Sequence, residues 1–440
     1  MQVNLIEGLL PQTEMRRAEE VLNACVHCGF CTATCPTYLQ GGNELDSPRG
    51  RIYLIKEMLE QGSASAVTRT HLDRCVTCLS CETTCPSGVE YHKLVAIGRS
   101  ASERLAPRGL WQRGLRWGLR KLLVTRGLFA ALIRMGRWFS VLLPARVRRV
   151  YFPVGAHQFT RPRNHTRSNG QSTPVQPGLR SGTFTQQVEA GTVLLVRGCV
   201  QPSLRPQTDV ALEKILQHSG IPVLHSSAAN CCGAASFHTS GEAEARDLAR
   251  TNIDAWWPLY QQGQDGNTSL RAIVSTASGC GVHLKDYPHL LVDDPEYREK
   301  AAILAALICD PVELLERVFA EVPPVFGNRL RDLDLVFHCP CTLQHGQGLS
   351  GRVERLLQGL GITLPPVTDS HLCCGSAGTY SILQAGMSKR LRSEKLRHLQ
   401  EHDPKSIITA NIGCQLYLQG GTDKPVCHWL EILADALPDS

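Results

Sequence analysis

Two four-cysteine motifs near the amino terminus carry the clearest chemistry in this sequence. They read Cys25-Val-His-Cys28-Gly-Phe-Cys31-Thr-Ala-Thr-Cys35-Pro36 and Cys75-Val-Thr-Cys78-Leu-Ser-Cys81-Glu-Thr-Thr-Cys85-Pro86. Both follow the pattern C-x2-C-x2-C-x3-C-P, which is typical of chains that hold two [4Fe–4S] clusters. The motifs therefore predict an iron–sulfur protein that carries electrons.

Ligation is expected to cross between the motifs. Three closely spaced thiolates bind three irons of a cube, and in two-cluster chains the fourth cysteine of each motif binds the other cluster. The predicted ligand sets are Cys25, Cys28, Cys31 and Cys85 for one cluster, and Cys75, Cys78, Cys81 and Cys35 for the other. A pair of zinc sites is the alternative, since C-x2-C also suits zinc, but zinc does not explain the full run occurring twice.

A second set of eight cysteines lies beyond residue 190 and is internally repeated. Each half has a strand-end cysteine, then a Cys-Cys-Gly pair, then a single cysteine: Cys199, Cys231, Cys232 and Cys280, followed by Cys341, Cys373, Cys374 and Cys414. The first interval is 32 residues in both halves, whereas the last is 48 in one and 40 in the other. The matching order predicts a duplicated domain.

Short apolar runs alternate with helical patterns in this repeat, which indicates βα units and a largely parallel sheet. Ligands of such sheets bind at the carboxyl ends of the strands, where these cysteines fall. The four thiolates of each half are candidates for an additional cluster or metal, and a redox or structural thiol role is the alternative. Three cysteines remain; Cys309 lies in the apolar helical run 302–308 and is expected to be a small buried hydrophobe.

Several histidines lie close to cysteines in the sequence: His27, His283, His338, His345 and His371. For each of them taken alone, a hydrogen-bonded role in the core or at the surface is expected, rather than metal ligation.

The chain divides into five predicted regions. Residues 1–100 form a helical two-cluster ferredoxin-like domain, 101–152 a basic amphipathic helical connector, and 153–190 a flexible linker; residues 191–330 and 331–440 are the two cysteine-rich repeats. The fold class is α+β overall, with the helical domain followed by a duplicated α/β cysteine-rich domain.

Composition supports metal ligation over disulfides. The 42% hydrophobic and 20% charged content is ordinary for a globular protein, and 19 cysteines is an odd number that cannot pair fully. The start of the chain lacks the apolar core of a signal peptide, so a cytoplasmic location is expected. Reducing compartments keep thiols free for metals.

The connector is strongly basic. Between residues 101 and 150 there are twelve Arg or Lys residues and one acid, a net charge of +11. On a helical wheel Trp111 and Leu115 share one face, while Arg113, Arg116 and Arg120 share the other. Its apolar runs are shorter than the ~20 residues of a membrane span. The pattern fits a membrane surface or a partner groove, and a helix packed on its own domain is the alternative. No nucleic-acid-binding module accompanies it.

The sequence has no G-x-G-x-x-G that opens a βαβ unit, no P-loop and no G-x-S-x-G elbow. We therefore expect no flavin, no nicotinamide and no catalytic residues on this chain. Substrate oxidation is expected on another subunit.

Taken together, the residues resemble the iron–sulfur subunits of glycolate oxidase. The resemblance rests on the order of the motifs and on residues 25–38, 44–56, 338–345 and 370–380. A more distant likeness extends to a subunit of anaerobic glycerol-3-phosphate dehydrogenase and to heterodisulfide reductase. The latter's domains end in C-x-x-C and hold noncubane clusters, whereas Cys280 and Cys414 stand single here.

The resemblance implies a bacterial complex in which flavin-containing 2-hydroxyacid dehydrogenase subunits oxidise glycolate to glyoxylate, and sometimes D-lactate. This subunit would pass the electrons toward a quinone, peripherally bound at the inner face of the cytoplasmic membrane. Two alternatives stay open: an electron-transfer subunit of a lactate or glycerol-3-phosphate dehydrogenase complex, and a non-catalytic iron–sulfur scaffold.

Overall fold

The computed structural model describes residues 3–140, 144–151, 191–262, 269–330 and 333–438. The predicted linker, 153–190, lies outside the described residues. Within them the predicted fold class is confirmed: a helical amino-terminal region is followed by two short parallel sheets with helices around them.

The amino-terminal region is built from helices that position the cysteine motifs. They are α1 (Gln12–Ala24), α2 (Pro36–Gly41), α3 (Pro48–Gln61), α4 (Ala66–Asp73), α5 (Ser80–Thr83) and α6 (Tyr91–Leu105). Helix α3 begins where the Ser47 side chain accepts a hydrogen bond from the Gly50 N–H and Pro48 occupies the first turn. Leu22, Ile55 and Leu94 are fully buried between α1, α3 and α6. This core fixes the two motif loops relative to one another.

The connector forms α7 (Leu110–Val124), α8 (Arg126–Trp138) and α9 (Ala145–Tyr151). These helices lie along the repeat region: α7 and α8 contact its first half, and α9 contacts its second. An ion-pair cluster ties the start of the connector to the ferredoxin-like region, since Asp73 pairs with Arg108 at 2.6 Å and with Arg116 at 3.1 Å.

The first half of the repeat contains β1 (Thr192–Leu195), α10 (Gln201–Leu204), α11 (Pro206–His218), β2 (Val223–Leu224), α12 (Ala234–Phe237), α13 (Glu242–Gln262), β3 (Leu270–Val274), α14 (Ser278–Lys285), α15 (Tyr287–Leu290), α16 (Arg298–Leu307), β4 (Ile308–Cys309) and α17 (Pro311–Glu321). The strands pair in the order β2-β1-β3-β4 and all are parallel.

The second half contains β5 (Leu335–His338), a π-helical turn (Thr342–Gly346), α18 (Arg352–Gly359), α19 (Tyr380–Leu383), α20 (Ala385–Leu399), β6 (Ser406–Thr409), α21 (Ile412–Gln419), β7 (Val426–His428) and α22 (Trp429–Ala436). The strands pair in the order β5-β6-β7, again parallel. Residues 361–364, the counterpart of the β2 region, form no strand. Pro365 and Pro366 follow directly, and proline cannot donate to a sheet ladder.

The repeat has one further matched position that the order of the motifs did not reveal. Cys309 pairs in register with Val274, and Cys427 pairs with Ile408 at the same point of the second sheet. Cys309 is buried as expected, but it lies in β4, because α16 ends at Leu307. Both cysteines therefore occupy the last strand of their sheet.

One hydrophobic core spans both halves, and each half also has a smaller core of its own. Leu212 of α11 and Trp429 of α22 are both fully buried in the shared core, and Thr208 donates a hydrogen bond to Glu431 at 2.6 Å across the same contact. The carboxyl ends of the two sheets also meet, since the Ser278 N–H donates to the Ala410 carbonyl at 3.2 Å. The predicted cysteine sites of both halves are thereby brought to one region.

Candidate metal centres

The first cysteine motif curls around a cavity. The cavity is lined by Cys25, Cys28 and Cys31 and, from the other motif, by Cys81 and Cys85. Two residues of the loop, His27 and Gly29, have positive φ angles of 55° and 87°, which let the chain turn so tightly. A side chain at Gly29 would also meet Arg49 at 2.7 Å. Glycine there serves both the turn and the close packing of Arg49.

The second motif repeats this arrangement. Its cavity is lined by Cys75, Cys78 and Cys81 together with Cys35 of the first motif. Thr77 and Leu79 have positive φ values of 54° and 63° at the same offsets from Cys75 as His27 and Gly29 have from Cys25. Each cavity thus collects three thiols from one loop and at least one from the other: Cys81 and Cys85 reach the first cavity, and Cys35 reaches the second.

The donor set fits iron–sulfur clusters. At least four thiols reach each cavity, and thiolate is the ligand that both cubane clusters and zinc accept. Burial raises the pKa of the Cys31 thiol to about 11 and the pKa of Cys81 well above its usual value. These thiols lose their protons when a metal binds, since the ligating form is the thiolate.

All four predicted thiols come together in the second half of the repeat. The Sγ atoms of Cys341 and Cys373 lie 3.8 Å apart, and those of Cys374 and Cys414 lie 3.4 Å apart. Cys373 and Cys374 also hydrogen-bond to each other, so the four sulfurs form a continuous chain. Hydrogen bonds from Cys341 and Cys374 hold the pKa of Cys373 well below its usual value.

The first half builds the same chain in the same order. Cys231 accepts hydrogen bonds from Cys199 and Cys232, which lower its pKa to about 3, and Cys232 also contacts Cys280. Each half therefore gathers its four predicted cysteines into one cluster of sulfurs. Whether a metal or a further iron–sulfur cluster binds there stays a prediction.

The glycine of each Cys-Cys-Gly sequence lies where both the backbone conformation and close packing favour glycine. Gly375 has a φ of 83°, and a Cβ on it would lie 2.6 Å from the Ser388 carbonyl oxygen. Gly233 has a φ of 96°, and a Cβ on it would lie 3.3 Å from the Ala245 carbonyl oxygen, a less severe contact. In the second half, the glycine N–H then points at the Cys373 sulfur, 3.3 Å away. A larger residue would displace the loop that carries two of the four thiols.

A Gly-x-Gly-x-x-Gly spacing does occur between β5 and α18, at Gly346, Gly348 and Gly351. It is separated from the strand by the π-helical turn, so it is not the strand-to-helix turn of a dinucleotide site. A Cβ at Gly346 would lie 2.6 Å from Val282, and packing on α14 explains that glycine.

The second-half sulfur cluster adjoins the second ferredoxin-like cavity. Cys78 and Cys373 are buried in one small apolar cluster with Tyr380, and the pKa of Cys78 is raised by burial and by Cys373. A further contact joins Thr83 and His345, whose Oγ1 and Nδ1 atoms lie 2.9 Å apart. The two thiol sites are therefore separated only by residues that contact each other directly.

Other contacts place the first-half cluster beside the connector and beside its counterpart. Arg126, the first residue of α8, donates to the Asn230 carbonyl at 3.1 Å, next to Cys231. Asn411 bridges the halves: its Nδ2 donates to the Cys414 sulfur at 3.5 Å, and its Oδ1 accepts from the Gly279 N–H at 3.3 Å.

The predicted residues of the connector separate into two faces. Arg116 and Arg120 turn toward the protein, where Arg116 pairs with Asp73 and Arg120 donates to the Thr239 carbonyl. Trp111 is 82% exposed, and Arg113 and Leu115 are also exposed. Arg116 and Arg120 of α7 thus contact other parts of the same chain, whereas Arg113 is exposed together with Trp111 and Leu115.

Sequence reasoning did not identify an apolar face on α8. Five large apolar residues of this helix and its end are exposed: Leu128, Leu132, Met135, Trp138 and Phe139. Their spacing of three to four residues is the signal that could have revealed it. No helix in the described part of the chain is long and apolar enough to cross a membrane.

Comparison with known proteins gives two family matches. Residues 21–89 match the 4Fe-4S dicluster domain, and residues 193–285 and 335–419 match the cysteine-rich domain.

Three curated relatives illustrate the similarity. The chain is 44% identical over 437 residues to the glycolate oxidase iron-sulfur subunit of Escherichia coli, covering 99% of each. It is 27% identical to the probable glycolate oxidase iron-sulfur subunit of Bacillus subtilis, covering 92% of this chain and 90% of that one. Lactate utilization protein A of Exiguobacterium is 27% identical over 56% of this chain and 98% of its own length.

Among solved structures, the fold is similar to that of a hypothetical protein from Helicobacter pylori. The TM-score is 0.50 at 10% sequence identity, with 98% of this chain and 74% of that chain covered.

Proposed function

The chain belongs to the family of glycolate oxidase iron–sulfur subunits, and we propose that it passes single electrons from flavin-containing subunits that oxidise glycolate to glyoxylate toward a membrane quinone. The observation that carries this proposal is the pair of adjacent cavities lined by thiols from both motifs. A reduced flavin yields two electrons, and a protein that accepts them one at a time can link it to a distant acceptor.

The proposed ligands are those of the crossed arrangement. Cys25, Cys28 and Cys31 with Cys85 would hold one cluster, and Cys75, Cys78 and Cys81 with Cys35 the other; the lining of each cavity supports this. Bound there, a [4Fe–4S] cluster supplies a one-electron redox centre. The chain's own residues hold the two sites side by side and limit water around the buried sulfurs of Cys75 and Cys78.

We also propose a metal or further cluster in the repeat. The contact of Cys78 with Cys373 supports a route from the second ferredoxin-like site into the second half. Iron and sulfide counts per chain test the occupancy: about eight irons correspond to the two ferredoxin-type clusters, and about twelve to one more cluster.

The exposed apolar faces of α7 and α8 support attachment to the inner face of the cytoplasmic membrane. Trp111 and Trp138 are more than four-fifths exposed, and exposed Arg113, Arg134 and Arg137 lie close to them in the sequence. Aromatic side chains with flanking arginines suit the interface of an anionic bilayer.

The relay is tested on the purified complex with its flavin subunits. Glycolate is added anaerobically, and samples are frozen for electron paramagnetic resonance while flavin absorbance is followed. We expect cluster signals to grow as the flavin is oxidised by them. Clusters that stay oxidised beside a reduced flavin would instead assign this chain a scaffold role. Parallel assays with D-lactate and glycerol 3-phosphate decide which donor the complex uses.

A further inference from the structure

His338 lies at the end of β5, three residues before Cys341. It is buried, and its Nδ1 atom lies 3.0 Å from the Thr409 hydroxyl at the end of the neighbouring strand. The two residues are paired in register, so the strand ladder itself sets this contact. One ring nitrogen is therefore oriented by Thr409, in the way that an outer partner fixes the ring of a metal-binding histidine.

A ring nitrogen of His338 and the sulfurs of Cys374 and Cys414 lie within 4.8 Å of one another, and all three residues are buried. Metal–sulfur bonds of about 2.3 Å put two sulfurs of a tetrahedral site about 3.8 Å apart. The 3.4 Å between the Cys374 and Cys414 sulfurs is close to that distance. These three side chains can bind one metal atom with small adjustments of their positions.

The first half differs at this point. The residue that corresponds to His338 in the aligned strands is Val196, which offers no ligand. The sulfur clusters match in both halves, but the strand-end imidazole is specific to the second. In the first half the buried imidazole close to the Cys-Cys-Gly loop is instead His283 of α14, which approaches from a different element.

From these contacts we propose that His338 is a metal ligand, forming with Cys374 and Cys414 a mixed nitrogen–sulfur site in the second half. This inference rests on the proposed metal or cluster in that half. The metal bound by these three side chains would be an iron atom of a cluster or a zinc ion, since imidazole and thiolate suit both. With iron at this site, imidazole in place of thiolate would raise the reduction potential, so the centre would accept electrons more readily than an all-thiolate cluster; zinc there would be structural.

The test uses the full-length holoprotein, purified anaerobically, with iron, zinc and sulfide measured per chain. His338→Val introduces the residue found in the first half, and His338→Cys keeps a ligand but removes the nitrogen. His428→Asn is the matched control, because His428 is equally buried at the end of β7 and asparagine can still cap α22. X-ray absorption at the iron and zinc edges, with pulsed electron paramagnetic resonance for nitrogen coupling, reports the donor atoms.

We expect a nitrogen donor in the wild type, at least about tenfold weaker retention of the second-half metal in His338→Val, and an all-sulfur site in His338→Cys. His428→Asn should match the wild type, and the signals of the ferredoxin-type clusters should persist in every variant. If Cys374→Ala releases a metal that His338→Val keeps with an unchanged spectrum, histidine ligation is wrong while the site stands. If the wild type holds two cubane clusters and nothing more, the second-half site and its histidine ligand both fail, and the relay through the ferredoxin-like domain is untouched.

Discussion

The Tyr380 hydroxyl donates a hydrogen bond to the Arg74 carbonyl oxygen across 3.0 Å, although the two residues are 306 positions apart. Arg74 directly precedes Cys75 of the second motif, and Tyr380 lies beside Cys373 in the second half of the repeat. This bond therefore holds two thiol sites at a fixed separation.

Replacing Tyr380 by phenylalanine should weaken this contact. Tyr380 is buried, so the change leaves the Arg74 carbonyl without its partner, and we expect the free energy of unfolding to fall by about 1–2 kcal/mol. Urea unfolding followed by tryptophan fluorescence measures it. Tyr53→Phe, at an exposed tyrosine, is the matched control and should change stability by less than about 0.5 kcal/mol. Equal effects of the two substitutions would contradict the assigned role of the contact.

Crossed ligation makes a specific prediction for Cys35. The Cys35→Ser variant should lose or alter the cluster held by Cys75, Cys78 and Cys81, because the Cys35 sulfur lines their cavity. Iron content and electron paramagnetic resonance of the reduced protein report which cluster remains. Cys309→Ala serves as the control, since Cys309 is buried in β4 away from both cavities. Damage confined to the cluster of Cys25, Cys28 and Cys31 would refute the crossing.

Asp46 is the centre of a buried ion cluster between the motifs. Its carboxylate lies 2.8 Å from His71 Nδ1, 3.1 Å from Arg74 and 3.5 Å from the fully buried Arg51. Asp46→Asn leaves the Arg51 charge uncompensated, and we expect a loss of about 3–5 kcal/mol in the free energy of unfolding. Asp403→Asn removes an exposed partner of Lys424 and should change stability far less, because solvent screens that pair. Denaturant unfolding of the two variants provides the comparison, and similar losses would show that the buried cluster contributes little.

Much of the site was predictable because cysteine spacing is local. Loops such as residues 25–31 bring their own sulfurs together, and the repeated interval of 32 residues reflects repeated βα units. The matched pair Cys309 and Cys427 was missed, because the strands that carry them are two and three residues long and are stabilised by neighbours far along the chain. Periodicity alone cannot detect such strands.

The orientation of the connector shows the same limit. The helical wheel separates Trp111 from Arg116, but it does not say which face is covered. Which face is covered depends on Asp73 and on the Thr239 carbonyl, which belong to other regions of the chain. The shared core of the two halves likewise depends on long-range packing, as in the contact of Thr208 with Glu431.

The pH dependence of stability should include a contribution from Asp310. This residue caps α17 through the Val312 N–H and accepts from Gln347 Nε2 at 3.2 Å. Burial raises the pKa of Asp310 to about 7, whereas in the unfolded chain it is about 4. Between these values the folded protein binds more protons than the unfolded chain. Stability should therefore fall as pH rises from 5 to 7, by up to about 1.4 kcal/mol per pH unit, and level off above 7.

Asp310→Asn tests this dependence, since asparagine caps a helix as well as aspartate does but does not ionise. We expect the unfolding free energy of Asp310→Asn to lack this contribution. Relative to that of the wild type, it should therefore increase as the pH rises from 5.5 to 7.5. Asp403→Asn should show no such gain, because Lys424 holds the pKa of that exposed carboxyl below its usual value. Parallel pH profiles for the wild type and Asp310→Asn would show that Asp310 is ionised in the folded protein throughout the range.

Membrane attachment through α8 predicts a lipid dependence. The exposed apolar side chains of Leu132 and Trp138 would insert at the interface, while Arg134 would face anionic headgroups. The protein should sediment with phosphatidylglycerol vesicles more strongly than with phosphatidylcholine vesicles, and added salt should weaken this binding. Substituting both Leu132 and Trp138 by serine should reduce binding at least about tenfold, since each buried side chain of this size contributes about 1.5–3 kcal/mol.

Val325→Ser is the matched control, because Val325 is exposed but lies outside the connector, and it should leave vesicle binding unchanged. Unchanged binding of the double variant would remove α8 as the attachment site. If the double variant instead binds vesicles normally but no longer copurifies with the flavin subunits, the apolar face of α8 is a subunit interface. In that case membrane attachment belongs to another surface of the complex, and the exposed tryptophans mark where the electron donor docks.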